Sequence, residues 1–340
     1  FRIIFLVIFA LSLIIPLIIS ALNLQKDKEN VTVTQKINQS VTSKEPSYTS
    51  EQLANENIIA HKRYKVGVLF PFMAAPFWIN EAYGILDQAQ KVGIEVIWYS
   101  ADGYTNVSKQ NNQIADLLAQ NIEGLIIAPT SFSGNSRAID QVIDSGVPVV
   151  IHVTDTNAKG ITSRILADDV EIGKKQAEFI VNKLGTDGGS ILMLSGPSGA
   201  DWSSNRAIGF KSVIEAYKGF KIEAERFGEP DKTTTQNLTS DLLVTFPDID
   251  AIYTAADGMA IGAAIVLENQ KKSSEVILTT ASFSRESVSY IENGMIDINV
   301  DESPVLQGRT AINTITAILN GGTVPESILV PIPAVTRENI

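Results

Sequence analysis

The sequence predicts an α/β protein whose folded part consists of two doubly wound parallel-sheet lobes joined by a hinge. Three observations lead to this fold class. Short apolar and β-branched runs alternate with amphipathic stretches from residue 65 onward, which is the pattern of parallel strands that helices cover on both faces. The same alternation restarts near residue 170. The length of 340 residues also suits two domains.

The first series of elements begins with the apolar run KVGVLFPF, a predicted strand at residues 65–72. A helix over about 78–92 follows and ends at Gly93, because glycine readily adopts the left-handed conformation of a helix C-cap. The rest of this series is a strand at 94–100, a helix at about 106–121, a strand at 123–129, a helix at about 135–145 and a strand at 147–153.

The second series repeats this alternation, and right-handed crossovers are expected in both series. Its predicted helices lie at about 170–184, 202–217, 234–245, 258–270, 285–292 and 304–319. Its predicted strands lie at 190–195, 220–227, 249–255, 276–283 and 296–300. We assign residues 64–167 and 302–332 to the N-terminal lobe, and residues 168–301 and 333–340 to the C-terminal lobe.

The N-terminal segment is expected to direct the protein out of the cytoplasm. Residues 3–22 carry no charged side chain, and an apolar helix of about 20 residues can cross a bilayer. Residues 1–22 are therefore interpreted as a signal peptide or a retained membrane anchor, and both alternatives place the rest of the chain in the periplasm. The polar composition of residues 23–63 predicts a disordered linker.

Composition excludes several classes of function. The 38 acidic residues outnumber the 27 Lys and Arg residues, giving a net charge of −11, which argues against nucleic acid as a partner. The absence of cysteine excludes thiolate catalysis, and the two histidines, His61 and His152, are too few for a His-rich metal site. No nucleophile, phosphate-loop or dinucleotide motif is present. We therefore expect no catalytic residues, no metal and no cofactor.

Ligands bind beyond the carboxyl ends of the strands in open parallel sheets, so the residues that follow the strands are the candidate site. The candidates are aromatic and acidic, with one Arg and one His: Phe77, Trp78, Tyr104, His152, Asp155, Trp202, Arg206, Asp257, Phe283 and Glu302. Core packing is the alternative role for the aromatic residues, a partly buried and hydrogen-bonded structural role is the alternative for His152, and a surface or interdomain ion pair is the alternative for the arginine. Asp168 and Asp169 are expected at the hinge, with a structural role.

Residues 64–340 resemble the type I periplasmic binding proteins of the ribose-binding kind. The resemblance rests on the segments KVGVLFPFMAAPFWINEAYGILDQAQ, EGLIIAPTSFSG, SGVPVVIHVTD and FPDIDAIYTAADGMAIGAAIVL, which occur in this order. It implies a periplasmic receptor whose two lobes close over a small ligand and then contact a membrane partner. It implies no enzymatic activity.

Two branches of that superfamily imply different ligands and partners. APFWINEAYG, ADGYTN and VPVVIHVTD look most similar to the periplasmic trimethylamine-N-oxide-binding proteins, which partner a membrane sensor histidine kinase. This resemblance implies that Trp78 and Tyr104 are the aromatic walls of a methylamine site, and aromatic faces do attract such cations.

The alternative is a sugar receptor that delivers a monosaccharide to an ABC permease. Phe77, Trp78, Arg206, Asp257 and Glu302 match or approximate the pattern of the sugar-binding branch. Several of that branch's polar pairs are missing, and each unpaired buried hydroxyl costs roughly 1–3 kcal/mol. For this reason the sequence favours the methylamine ligand over the sugar, while an enzyme acting in the cleft is the third and least supported hypothesis.

Overall fold

The structure, a computed structural model, describes residues 46–340. The predicted N-terminal apolar helix and the first part of the predicted linker lie outside the described residues. Within residues 46–340, no helix combines the length and the apolar character that crossing a membrane requires. The described chain forms two six-stranded sheets with helices packed around them, so the predicted α/β fold class with two parallel-sheet lobes is confirmed.

The first sheet lies in the N-terminal lobe and is parallel throughout. Its strands are β1 (Lys65–Phe70), β2 (Glu95–Ser100), β3 (Gly124–Ile127), β4 (Val149–His152), β5 (Ser163–Leu166) and β11 (Ser327–Leu329). They are arranged in the order β11-β5-β4-β3-β1-β2. The strands β1, β3 and β4 are buried almost completely, as expected for central strands that helices cover on both faces.

The second sheet lies in the C-terminal lobe and repeats this order. Its strands are β6 (Gly189–Leu194), β7 (Phe220–Arg226), β8 (Ala251–Thr254), β9 (Ile277–Ala281), β10 (Ile298–Val300) and β12 (Ala334–Val335). The order is β12-β10-β9-β8-β6-β7. The short strand β12 pairs with β10 in the antiparallel direction, and the other pairings are parallel.

Helices connect the strands and cover the sheets. The N-terminal lobe contains α1 (Ser50–Asn55), α2 (Pro76–Val92), α3 (Val107–Ala119), α4 (Ser136–Asp144) and α10 (Pro304–Leu319). The C-terminal lobe contains α5 (Asp169–Leu184), α6 (Asp201–Ile214), α7 (Lys232–Thr245), α8 (Asp257–Asn269) and α9 (Arg285–Glu292). The predicted cap of α2 is present, because Gly93 has a φ of 84°.

Close helix packing fixes the residues that later form the site. Helices α5 and α6 approach so closely that a Cβ added to Gly173 would lie 2.0 Å from the carbonyl oxygen of Arg206. A Cβ added to Gly209 would lie 1.9 Å from the carbonyl oxygen of Val170. Only glycine fits at these two positions, and the short separation brings Arg206 beside the first turn of α5.

The segment immediately before β1 differs from the predicted disordered linker. Residues 50–55 form α1, which begins with a capping box between Thr49 and Gln52 and buries Leu53 completely. Asn313 of α10 donates hydrogen bonds to the carbonyl oxygens of Leu53, at 2.8 Å, and Glu56, at 2.7 Å. Composition alone predicted disorder here, whereas one buried leucine and a network of capping hydrogen bonds hold this polar segment against the lobe.

We predict that Leu53→Ala destabilises the protein by about 2–5 kcal/mol, because it removes a fully buried side chain. Urea unfolding followed by circular dichroism measures this change. Val244→Ala is the control, since Val244 is 83% exposed and should shift the unfolding free energy by less than about 0.5 kcal/mol. Equal stability of Leu53→Ala and wild type would show that α1 does not pack in solution.

Candidate functional site

A cavity lies between the two lobes, at the carboxyl ends of their strands, and its closed walls leave a free volume of about 20 Å³, roughly the space that one water molecule needs. The predicted candidates that line it are Phe77, Trp78, Tyr104, Trp202, Arg206, Asp257 and Glu302. The topology therefore brings together most of the residues that sequence placed after the strands, and it takes them from both lobes.

Aromatic side chains form the walls of the cavity. Phe77 and Trp78 lie in the first turn of α2, directly after Pro76 at the N1 position, and their rings meet edge to face at 5.1 Å. Across the cleft, the rings of Tyr104 and Trp202 are 5.8 Å apart. The rings of Phe77, Trp78, Tyr104 and Trp202 are all buried. A solute in the cavity therefore meets aromatic side chains from both lobes.

The guanidinium of Arg206 forms one side of the cavity and is only 1% exposed. Its Nε donates to Asp169 at 2.8 Å, and its Nη2 lies 2.5 Å from Glu302. Its Nη1 donates to the carbonyl oxygen of Ala255 at 2.7 Å and to the hydroxyl of Ser282 at 3.3 Å. The ring of Trp202 lies 4.8 Å from its Cζ, which is a cation–π distance.

The two carboxylates come from segments where the chain passes between the lobes. Asp169 begins α5, shortly after β5, and Glu302 lies between β10 and α10. Burial alone disfavours the charged guanidinium, but Glu302 and Asp169 raise the pKa of Arg206. Burial raises the pKa of Asp169 to about 7, although the arginine opposes this shift. Arg206 is therefore a permanent cation that joins the cavity to the hinge.

Asp257 is the carboxyl group with unused hydrogen-bonding capacity in the cavity. Its Oδ1 accepts the N–H of Gly258 at 2.8 Å, whereas its Oδ2 is buried and has no hydrogen-bond partner among residues 46–340. Burial raises the pKa of Asp257 to about 7. The indole N–H of Trp202 is likewise buried without a partner in the described part of the chain. Neither group makes a hydrogen bond of good geometry within the described chain. Ser284 nevertheless lies close enough to oppose the effect of burial on the pKa of Asp257, and Trp202 lies close enough to oppose the effect of burial on the pKa of Tyr104.

Two cavity residues have left-handed backbones that an L-amino acid side chain rarely adopts. Val153 follows β4 with a φ of 63°, and Ser282 follows β9, the equivalent strand of the other sheet, with a φ of 71°. For a β-branched residue such as Val153 this conformation is a strained outlier. In both lobes the turn brings the chain after the strand back against the cavity.

His152 does not line the cavity and occupies the buried structural position that was the alternative to ligand contact. It is fully buried behind the wall, and its Nδ1 lies 2.5 Å from Oε1 of Glu81 on α2. Its ring contacts that of Trp78 edge to face, with centroids 6.2 Å apart. The last residue of β4 points toward the covering helix rather than beyond the strand end, so His152 supports the tryptophan instead of facing a ligand.

Asp155 and Phe283 also lie outside the cavity lining. The carboxylate of Asp155 pairs with Arg164 at 2.9 Å, and its backbone N–H donates to Asp201 of the other lobe at 3.0 Å. Asp155 therefore contributes to the contact between the lobes. Phe283 is half-buried and packs against the main core. Both residues follow strands, but neither lines the cavity.

Several residues that line the cavity were not predicted from the sequence, because their side chains carry no distinctive chemistry. They are Ala75, Val153, Pro230, Ala256 and Ser282. Asp169 was expected to be structural, and its bond to Arg206 could not be read from the sequence. Asp168 caps α5 by accepting the N–H of Glu171. Among residues 46–340, no group of three acidic or histidine side chains is placed to hold a metal ion.

Comparison with known proteins agrees with this architecture. The ribose import binding protein RbsB of Bacillus subtilis is 27% identical over 277 residues, which cover 82% of this chain and 88% of that protein. The crystal structure of a sugar ABC transport substrate-binding protein from Bordetella parapertussis superposes with a TM-score of 0.77 at 25% identity. That match covers 85% of this chain and 94% of the Bordetella chain.

A further relative is relevant to the methylamine ligand that the sequence favoured. The periplasmic protein TorT of Escherichia coli is 23% identical over 290 residues, covering 84% of this chain and 82% of that protein. This identity is lower than that of the ribose-binding relative. The names of the Bacillus and Bordetella proteins mention ribose import and sugar ABC transport, respectively, whereas the name of TorT mentions neither a ligand nor a partner.

The model of the periplasmic binding protein domain matches residues 66–323. This range includes both sheets up to β10 and the residues that line the cavity between the lobes. Because the match spans well over half of the sequence, the chain belongs to the periplasmic binding protein domain family.

Proposed function

We propose that this protein is a periplasmic receptor that closes over a monosaccharide and delivers it to an ABC transporter. One observation carries the choice of a sugar. The acceptor Oδ2 of Asp257 and the indole N–H of Trp202 are buried without partners in the described chain, and both residues line the same aromatic cavity. A sugar hydroxyl both donates and accepts, so it can satisfy the two groups together.

The aromatic walls suit the same ligand. The apolar faces of a sugar ring can pack between Trp78 of one lobe and Trp202 of the other, while the hydroxyls at the ring edge reach polar groups. The sugar-binding names of the relatives support this proposal. The favoured ligand is therefore a sugar rather than a methylamine, and the favoured partner is an ABC transporter rather than a sensor kinase. We propose a binding role rather than a catalytic one, because these relatives are binding proteins.

A methylated ammonium ligand remains a second candidate, because the charge of the cavity favours it. One cation, Arg206, faces the three carboxyl groups of Asp169, Asp257 and Glu302. The cavity is also lined by aromatic faces, and each such contact with a cation is worth about 0.5–2 kcal/mol. This ligand would fit a receptor that signals to a sensor kinase.

The proposed mechanism is hinge closure. Trp202, Arg206 and Asp257 belong to the C-terminal lobe, whereas Phe77, Trp78 and Tyr104 belong to the N-terminal lobe. A ligand that contacts both groups binds the closed form more tightly and shifts the population toward it. The bond from Asp155 to Asp201 and the ring contact of Tyr104 with Trp202 hold the closed form in the structure.

Isothermal titration calorimetry tests the ligand class. We expect a pentose or hexose among D-ribose, D-allose, D-galactose and D-glucose to bind, and trimethylamine N-oxide, betaine and choline to give no heat. Trp78→Ala should weaken sugar binding about tenfold, the loss of roughly 1.4 kcal/mol of aromatic contact. Tyr83→Ala on the same helix is the matched control, since Tyr83 is 57% exposed and outside the cavity.

If a methylamine binds and no sugar does, the sugar ligand is rejected and the methylated ammonium ligand is supported instead. The absence of binding by every compound would reject the receptor proposal. If Trp78→Ala unfolds the protein, whereas Tyr83→Ala does not, the role of Trp78 is core packing rather than ligand contact.

The pH dependence of stability tests the environment of Asp257. Burial raises its pKa from 3.8 to about 7, so the folded protein keeps a proton that the unfolded chain releases. This contribution to stability is complete below pH 3.8 and is lost as the pH rises through about 7. We therefore expect the thermal midpoint of the ligand-free wild type to fall between pH 4 and pH 8.

Asp257→Asn should show a smaller fall over the same range, because asparagine does not titrate and can still accept the N–H of Gly258. Differential scanning fluorimetry across this pH range measures the difference. Parallel curves for the variant and the wild type would show that Asp257 is solvated and has an ordinary pKa.

A further inference from the structure

The cleft contains a second space beyond the cavity described above. This outer groove has a volume of about 510 Å³ and opens toward solvent. Its N-terminal-lobe side comprises the loops after β2 and β3, with Tyr104, Thr105 and Ser131. Its C-terminal-lobe side comprises the loops after β6 and β7, with Ser198, Phe227 and Glu229. Because each lobe supplies one side, the groove has this form only while the lobes are closed.

The outer groove carries the polar groups that a neutral hydroxylated ring requires. Thr105 and Ser198 expose their side chains. The Oγ of Ser131 accepts the N–H of Gly134 at 3.2 Å, so its own hydroxyl proton remains free to donate. Oε2 of Glu229 is buried and has no hydrogen-bond partner within residues 46–340. Hydroxyl groups and one carboxyl residue therefore line the same groove.

The groove also contains an aromatic platform and repels anions. Phe227 is 50% exposed, so its phenyl ring is accessible to a ligand in the groove. No Lys, Arg or His is among the described residues that line the groove, and Glu229 is its one charged side chain. A phosphate or carboxylate ligand is disfavoured by this charge, whereas a neutral ring with an apolar face fits both the phenyl ring and the hydroxyls.

Tyr104 connects the two spaces. It lines the inner cavity on one side and the outer groove on the other, and it contacts Trp202 at a centroid distance of 5.8 Å. Burial raises the pKa of Glu229, and the nearby backbone N–H groups of Tyr104 and Thr105 oppose this shift. Tyr104 is thus the residue that the two spaces share, and a ligand with two linked rings would contact it from both sides.

We propose that the outer groove is a second sugar subsite and that the ligand is a disaccharide or a comparable glycoside. This inference rests on the proposed function, because the first ring takes the inner cavity. The second ring stacks on Phe227 and hydrogen-bonds to Glu229. Closure then depends on both rings, since each compartment has walls from both lobes.

Calorimetry on the purified protein tests this proposal with D-glucose, D-galactose, D-xylose and D-ribose against cellobiose, maltose, lactose and xylobiose. We expect at least one disaccharide to bind about tenfold more tightly than either of its component sugars. Phe227→Ala should weaken that disaccharide about fivefold, or about 1 kcal/mol, and should leave monosaccharide affinity within about twofold of wild type. Glu229→Gln should act in the same direction.

Tyr83→Ala is again the matched control, because it removes an exposed aromatic ring that lines neither space. If monosaccharides bind and no disaccharide binds more tightly, the second subsite is rejected while the proposed function stands. An equal effect of Phe227→Ala on both ligand sizes also rejects it. If no sugar of either size binds, the proposed function and this inference fall together.

Discussion

The fold and the site depend on one buried cation. Arg206 has almost no contact with solvent, and a buried charge is tolerated only when it is paired and hydrogen-bonded. Its two carboxylate partners, Asp169 and Glu302, lie where the chain passes from one lobe to the other. If one lobe rotates relative to the other, the bonds from Arg206 to these carboxylates change, unless the rotation axis passes close to Arg206. The two segments that link the lobes and the side of the cavity that Arg206 forms are therefore one hydrogen-bonded unit.

This arrangement explains which groups remain for a ligand. Most of the donors of Arg206 are used by the two carboxylates, a carbonyl and a hydroxyl. Recognition then falls to Asp257 and Trp202, which have free polar atoms, and to the aromatic walls. The departures from the polar pairs of the sugar-binding branch leave fewer direct hydrogen bonds in the inner cavity. A second ring in the outer groove would restore contacts that the inner cavity lacks.

The sequence predicted the fold class well because its signals are local and repeated, but it predicted side-chain direction poorly. The strands β5, β11 and β12 escaped detection because they are short and, unlike the equally short central strands β3 and β4, they are not fully buried apolar runs. The segment around Leu53 was assigned to disorder from its composition, although the capping box of Thr49 and Gln52 was visible in the sequence. The position of His152 at a strand end predicted a ligand contact, whereas its side chain packs inward against Glu81. Such directions depend on tertiary packing, which no local pattern encodes.

A crystal structure of the complex with the tightest-binding sugar is the most direct test of the central claim that a small solute is enclosed by both lobes. The account predicts electron density for a sugar ring between Trp78 and Trp202, with a hydroxyl within hydrogen-bonding distance of Oδ2 of Asp257. Density on the outer surface alone, or lobes that meet with their own side chains filling the cavity, would contradict it.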